Sequence, residues 1–83
     1  MYQVYILQNQ QAKTYIGLTQ NIEKRLIQHN NGESKWTKKY LPWYLYWLSR
    51  PMSLSQARQL ENLMKKQKGG NGLKKLMELY AGS

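Results

Sequence analysis

Two short runs of β-branched and aromatic residues stand almost back to back at the start of the chain. They are Tyr2 to Gln8 (Tyr-Gln-Val-Tyr-Ile-Leu-Gln) and Lys13 to Leu18 (Lys-Thr-Tyr-Ile-Gly-Leu). Residues of this kind favour a pleated, half-buried surface, so both runs read as strands. Only Asn9-Gln10-Gln11-Ala12 separates them, and so short a polar break predicts an antiparallel hairpin. The rest of the chain has to pack on it. After Pro42 a third strand is expected over Trp43 to Leu48. Thr19 or Asn21 can cap a helix running to about Asn30, with Glu23 in its first turn, Gly32 past its end, Ile22 and Leu26 on its apolar side and Ile27 at the margin. Ser53 with Gln56 forms a capping box for a second helix, whose apolar stripe is Leu54, Ala57, Leu60 and Met64. Gly69-Gly70-Asn71-Gly72 ends that helix. Asn71 can then cap a last one, with Leu73, Leu76, Met77 and Tyr80 on one face. The order β-β-α-β-α-α predicts an α/β fold of the α+β type: a small three-stranded antiparallel sheet flanked by helices, in one domain over residues 1–83 without repeat or linker.

Composition narrows what such a fold can do. Eighty-three residues lie near the lower limit for a chain stabilised by apolar burial alone. With no cysteine there is no disulfide, no thiol nucleophile and no Cys-rich zinc site, and a single histidine leaves too few ligands for an ordinary structural zinc centre. The sequence contains no aspartate, which removes a Ser-His-Asp triad and leaves only its Glu variant formally open. A net charge of +9 points outward to a polyanion, nucleic acid first and an anionic membrane surface second. The longest apolar run, Leu41 to Leu48, is interrupted by Pro42 and is far short of the roughly 20 residues of a membrane span. The N-terminus lacks the basic start of a signal peptide, so a soluble, cytoplasmic protein with no membrane partner is expected.

Several residues fall together in ways that suit chemistry. With the hairpin turn centred near Gln10, Tyr5 would lie opposite Tyr15 with both phenols on one face, either as a packing pair or as a functional one. A shift of one residue would separate them. Gly17 projects to the same face, where it marks a bulge or a close approach to the backbone. Arg25 and His29 stack on the first helix at about 20–60° from Ile22, at the border of its buried side, as snorkelling border residues or as part of a site. Glu61 falls about 20° from Leu54, on an apolar stripe where a carboxylate must be paired or bind a metal. Lys65, Arg58 or a cation could satisfy it. Glu23, Glu33 and Glu78 have ordinary surface explanations. One carboxylate, with waters and phosphate oxygens, suffices to hold Mg²⁺. The segment Lys35-Trp36-Thr37-Lys38-Lys39-Tyr40 interleaves bases with aromatics, a composition suited to phosphate neutralisation and stacking. Lys65-Lys66-Gln67-Lys68 and Lys74-Lys75 add charge without specificity.

Taken together, these residues resemble the GIY-YIG nuclease domain, in particular its small stand-alone branch, over roughly residues 2–68. Gln3-Val4-Tyr5 stands at the first motif and Tyr15-Ile16-Gly17 repeats the second. Arg25 to Asn30 (Arg-Leu-x-x-His-Asn), Thr37 to Pro42, and Ala57-x-x-x-Glu61 follow in order. The resemblance implies a metal-dependent endonuclease acting on DNA ahead of RNA and selecting by structure. It implies that Glu61 holds one divalent ion, Mg²⁺ or Mn²⁺, and that Arg25 neutralises charge on the phosphoryl oxygens. One of Tyr5 and Tyr15 would accept the proton of the attacking water while the other positions it. Arg25 and the metal would favour phenolate, and His29 would orient the water or relay the proton. Gly17 would leave room for the nucleic-acid backbone, beside contacts from Lys35, Trp36, Thr37, Lys38 and Lys39. The first-motif glycine is replaced by Gln3, and Leu18-Thr19 stand where some members carry a basic residue. No fused DNA-binding module is expected, so the resemblance leaves specificity to a protein partner. A non-catalytic nucleic-acid-binding module of the same fold and a basic protein-interaction domain are the alternatives.

Overall fold

The computed structural model describes residues 1–67 and 70–82. Its elements are β1 (Gln3–Gln8), β2 (Thr14–Thr19), α1 (Ile22–Asn30), a 3-10 turn (Thr37–Tyr40), β3 (Tyr44–Leu48), α2 (Leu54–Lys66) and α3 (Asn71–Tyr80). The three strands form one antiparallel sheet in the order β2-β1-β3. The expected α+β order is therefore the observed one.

The hairpin differs from expectation in register. Its connection is organised by Asn9, whose Oδ1 accepts from the backbone N–H of Gln11 (3.0 Å) and of Lys13 (2.9 Å). Ala12 takes up a left-handed conformation with φ of 63°. This wider turn is centred on Gln11, so Tyr5 pairs with Gly17 and Leu7 with Tyr15. The offset is two residues, and because side chains alternate with period two, Tyr5 and Tyr15 still share a face, now as diagonal neighbours.

β1 is the central strand, and Val4, Tyr5, Ile6 and Leu7 along it are all buried. Alternation sends Val4 and Ile6 to one face, where they pack with Ala57, Leu60 and Met64 of α2, with Met52, and with Leu73, Leu76, Met77 and Tyr80 of α3. Tyr5 and Leu7 go to the other, with Trp43, Tyr15, Tyr40, and Ile22 and Leu26 of α1. Ser53 caps α2 by accepting from the N–H of Gln56, but Leu54 is 42% exposed and does not belong to the buried stripe. It is the first residue after the cap, and its side chain clears the sheet. Asn21 caps α1 through Lys24 N–H. Asn71 is not the cap of α3: it is the first helical residue, preceded by Gly70 with φ of 79° and no side-chain capping bond. Lys68 and Gly69, expected in a basic run and a helix stop, lie outside the described residues.

Candidate active site

Gly17 lies opposite Tyr5 on the neighbouring strand, and its missing side chain has a visible use. A Cβ built on Gly17 would stand 2.5 Å from the Tyr5 hydroxyl and 2.7 Å from Cζ. The ring of Tyr5 therefore leans across the bare backbone of β2. What approaches Gly17 is this phenol, so the space expected for a nucleic-acid backbone is already filled. Gly17 is buried and is withdrawn from the set of nucleic-acid contacts.

At the end of that reach the Tyr5 hydroxyl meets two groups from α1. Arg25 Nε donates to it at 3.3 Å, and His29 Nε2 stands 2.9 Å away. The spacing of four residues that stacks Arg25 over His29 thus aims both at one oxygen. Tyr15 closes the cluster, its ring 6.3 Å from that of Tyr5 and edge-on to His29 at 4.9 Å between centroids. His29 Nδ1 faces Thr37 Oγ1 at 2.8 Å.

Electrostatics follow from burial. Tyr5 is 1% exposed, and burial pushes its phenol above the usual tyrosine value. Arg25 pulls the other way by hydrogen bond and charge but is outweighed, and Tyr15 and Glu61 add smaller upward pushes. Arg25 does favour phenolate, as expected, but burial outweighs it, because leaving water costs the anion more than one cation at the margin restores, and the Tyr5 phenol stays above the usual tyrosine value. Burial, aided by the charge of Arg25, pushes His29 below the ordinary histidine value, so its imidazole is neutral. The Arg25 guanidinium is held further toward its charged form by the hydrogen bond to Tyr5, against some desolvation.

Glu61 stands on α2, which packs on the other face of the sheet, and its charge is felt at Tyr5 only as a minor upward push. Of the four acids it is the one withdrawn from solvent, its side chain 14% exposed, and Lys65 of the same helix closes on Oε2 at 3.2 Å. A cleft of about 390 Å³ crosses the β2 edge between Tyr15 and Trp36 on one side and Lys65 and Gln67 on the other. A second, of about 360 Å³, is lined by Arg25, Gln28, His29, Glu33 and Ser34. Among the described residues no group of three His, Cys, Asp or Glu side chains could cage a metal ion. The donor set is one hard carboxylate oxygen site, which fits a water-rich cation such as Mg²⁺ or Mn²⁺ and does not fit zinc.

The basic aromatic segment divides. Lys35, Lys38 and Lys39 are exposed, and so is Trp36 at 43%, stacked on Tyr15 at 5.9 Å and packed against Tyr40 and Trp43. Thr37 is 0% exposed and cannot touch a ligand from solution, because the 3-10 turn points it inward at His29. Asn30 and Trp43 complete the support, and neither had been assigned a site role. The Asn30 amide accepts from Trp43 N–H at 2.8 Å and donates to Trp43 O at 3.0 Å, while Trp43 Nε1–H donates to Thr37 O at 2.7 Å. Only the run of aromatics around Trp43 hinted at a buried anchor.

Comparison with known proteins identifies relatives of the chain. A family model described as the GIY-YIG catalytic domain matches residues 1–74. A UPF0213 protein of Syntrophus aciditrophicus is 43% identical over 65 residues, covering 76% of this chain and 75% of that protein. Another UPF0213 protein, from Bacillus licheniformis, is 38% identical over 63 residues, covering 75% of this chain and 65% of its own length. No solved structure matches the chain.

Proposed function

The chain belongs to the GIY-YIG family of nuclease domains, over residues 1–74, and from that premise we propose that it is a metal-dependent endonuclease that hydrolyses phosphodiester bonds in DNA. The observation that carries this reading is the joint address of Arg25 and His29 on the Tyr5 hydroxyl. A structural tyrosine needs one partner. This one has a cation and a neutral base, an arrangement suited to general-base chemistry.

Glu61 would hold one Mg²⁺ or Mn²⁺ ion, which when bound supplies charge neutralisation at the scissile phosphate. The chain's own groups do the rest. Arg25 turns from Tyr5 onto a phosphoryl oxygen, vacating a lone pair on the phenol. Water takes that place and attacks phosphorus; its proton passes to the Tyr5 oxygen as the phenolic proton moves to His29 Nε2. The new O–P bond forms as the ester P–O bond breaks, and the leaving ester oxygen takes a proton from solvent water to depart as the free hydroxyl. Tyr15, facing the cleft at the β2 edge, orients the water. Lys35, Trp36, Lys38 and Lys39 bind the strand beside it. A protein partner that supplies specificity belongs to the same proposal.

The test is incubation of the purified chain with supercoiled plasmid and branched DNA in Mg²⁺ or Mn²⁺, beside Glu61→Ala and Arg25→Ala. Nicking abolished by EDTA and by both substitutions is expected. Salt-sensitive binding without cleavage, unaffected by Glu61→Ala, would instead identify a binding module, and no binding at low salt would leave a protein-interaction domain.

A further inference from the structure

Resting on that reading, we propose that Thr37 is a positioning residue whose hydroxyl fixes the tautomer of His29, leaving Nε2 bare toward Tyr5. The argument is one of satisfying every buried donor. Thr37 Oγ1 has two neighbours: His29 Nδ1 at 2.8 Å and the carbonyl of Ser34 at 3.5 Å. A carbonyl only accepts, so Ser34 O gives the hydroxyl proton a place to go, which leaves the Thr37 oxygen free to receive Nδ1–H. Nε2 then carries no proton and accepts from the Tyr5 hydroxyl at 2.9 Å, while the phenolic oxygen accepts from Arg25 Nε. Every donor in the chain Arg25, Tyr5, His29, Thr37, Ser34 has an acceptor.

The opposite tautomer fails the same count. With the proton on Nε2, the Tyr5 oxygen would receive from both His29 and Arg25, and its own O–H would have no partner among these groups. A buried donor without an acceptor disfavours that tautomer by roughly 5–150-fold. No buried side-chain polar atom among the described residues lacks a hydrogen-bond partner, so the two tautomers differ only in where the protons point, and only the first gives every proton an acceptor.

Thr37 is itself held in place. The Trp43 indole N–H donates to its carbonyl at 2.7 Å, and Asn30 clamps the Trp43 backbone on both sides. The hydroxyl therefore has a fixed address relative to α1. The consequence is directional: only the Nδ1–H tautomer lets His29 take the phenolic proton, so Thr37 acts through His29 and never touches substrate.

His29 is the only histidine in the chain, so the imidazole signals of ¹⁵N-labelled protein are unambiguous. Long-range ¹H–¹⁵N spectra of the whole chain near pH 8 are expected to show a protonated Nδ1 and an unprotonated Nε2. Thr37→Ser, which retains the hydroxyl, keeps this pattern. Thr37→Val and Thr37→Ala, both checked for folding by near-UV circular dichroism, move it toward protonated Nε2 or a mixture. An Nε2–H pattern in the unaltered protein overturns the proposal, as does an unchanged pattern in a folded Val or Ala variant. In the nicking assay Thr37→Val should lose about 10–100-fold, the usual cost of removing an orienting partner, with Thr37→Ser close to the unaltered chain. If the unaltered chain cuts nothing, the nuclease reading fails while the spectra still decide the tautomer.

Discussion

Replacing Gly17 with alanine adds one methyl group at the point where the site is most tightly closed. The new carbon would sit 2.5 Å from the Tyr5 hydroxyl oxygen, 2.7 Å from Cζ and 3.1 Å from Cε1. Ordinary contacts are near 3.5–4 Å, so about an ångström must be found. A flexible side chain would yield it cheaply, but the Tyr5 ring is buried and its hydroxyl is tied to Arg25 and His29. Overpacking of this kind costs about 1–3 kcal/mol. Against it, alanine recovers roughly 0.5–1 kcal/mol of the intrinsic penalty of a glycine within a strand. The net expectation is a loss of about 1–2 kcal/mol, which in a domain of this size lowers Tm by roughly 5–15 °C. Thermal denaturation followed by circular dichroism measures it. Because the hydroxyl is the closest atom, Gly17→Ala introduced into Tyr5→Phe should cost less than in the unaltered chain, by about 0.5–1 kcal/mol. The relief is partial, since Cζ and Cε1 remain. An unchanged Tm in Gly17→Ala, or equal costs in the two backgrounds, would refute the idea that Gly17 exists to let Tyr5 cross β2.

Three further outcomes are expected. Leu60→Ala should cost about 2–5 kcal/mol in chemical denaturation because Leu60 is buried between α2 and the sheet, whereas Leu54→Ala should cost well under 1 kcal/mol; equal costs would contradict the phase of α2. Glu61→Gln should abolish both Mn²⁺ binding in calorimetry and nicking, yet change stability by no more than about 1 kcal/mol, since its Lys65 partner is half-exposed. His29, whose value burial depresses below the ordinary 6.5 or so, is neutral in the fold and protonates more readily in the unfolded chain. Its contribution to stability is therefore complete above about pH 6.5 and is lost as pH falls through its lowered folded value. Urea midpoints should decline on acidification from pH 7.5 toward 5, and His29→Gln should flatten that decline; an equally steep slope in the variant would count against a buried neutral imidazole.

The elements of the fold were legible because their signals are local. Caps, turn residues and apolar periodicity act over four or five positions, which is why Asn21, Ser53 and the Ala57, Leu60 and Met64 stripe stand where the sequence places them. The hairpin shows where local reading loses precision. Asn9 widens the turn by bonding two backbone N–H groups, and no short pattern distinguishes that from a tighter loop. The error was harmless to the site because it was even: a two-residue slip preserves faces, and a one-residue slip would have put Tyr15 on the side of Val4 and Ile6. Leu54 was expected on the buried stripe and is exposed, and Asn71 was expected as a cap and is the first helical residue; both errors fall at a helix start, where periodicity has not yet accumulated.

The wiring of the site was less legible, and the reason is burial. Sequence spacing brings Tyr5, Tyr15, Arg25 and His29 to one region, but the balance of charge against desolvation depends on how deeply each sits. Thr37 stands among exposed lysines and reads as one of them until the 3-10 turn rotates it inward. The same balance explains how a strongly basic chain could keep a usable base. Positive charge is needed to attract a phosphodiester, and positive charge also disfavours imidazolium. At His29 these two demands coincide: Arg25, the cation nearest the proposed phosphate position, helps to hold the imidazole neutral. An imidazole kept neutral, turned by Thr37 and placed 2.9 Å from a phenol that retains its proton, is poised to receive one. Were Arg25 replaced by a neutral residue, His29 should titrate closer to the ordinary histidine value while phosphate binding weakens. Both changes are readable on one NMR sample, and their opposite consequences for base strength and substrate affinity separate the two roles of a single side chain.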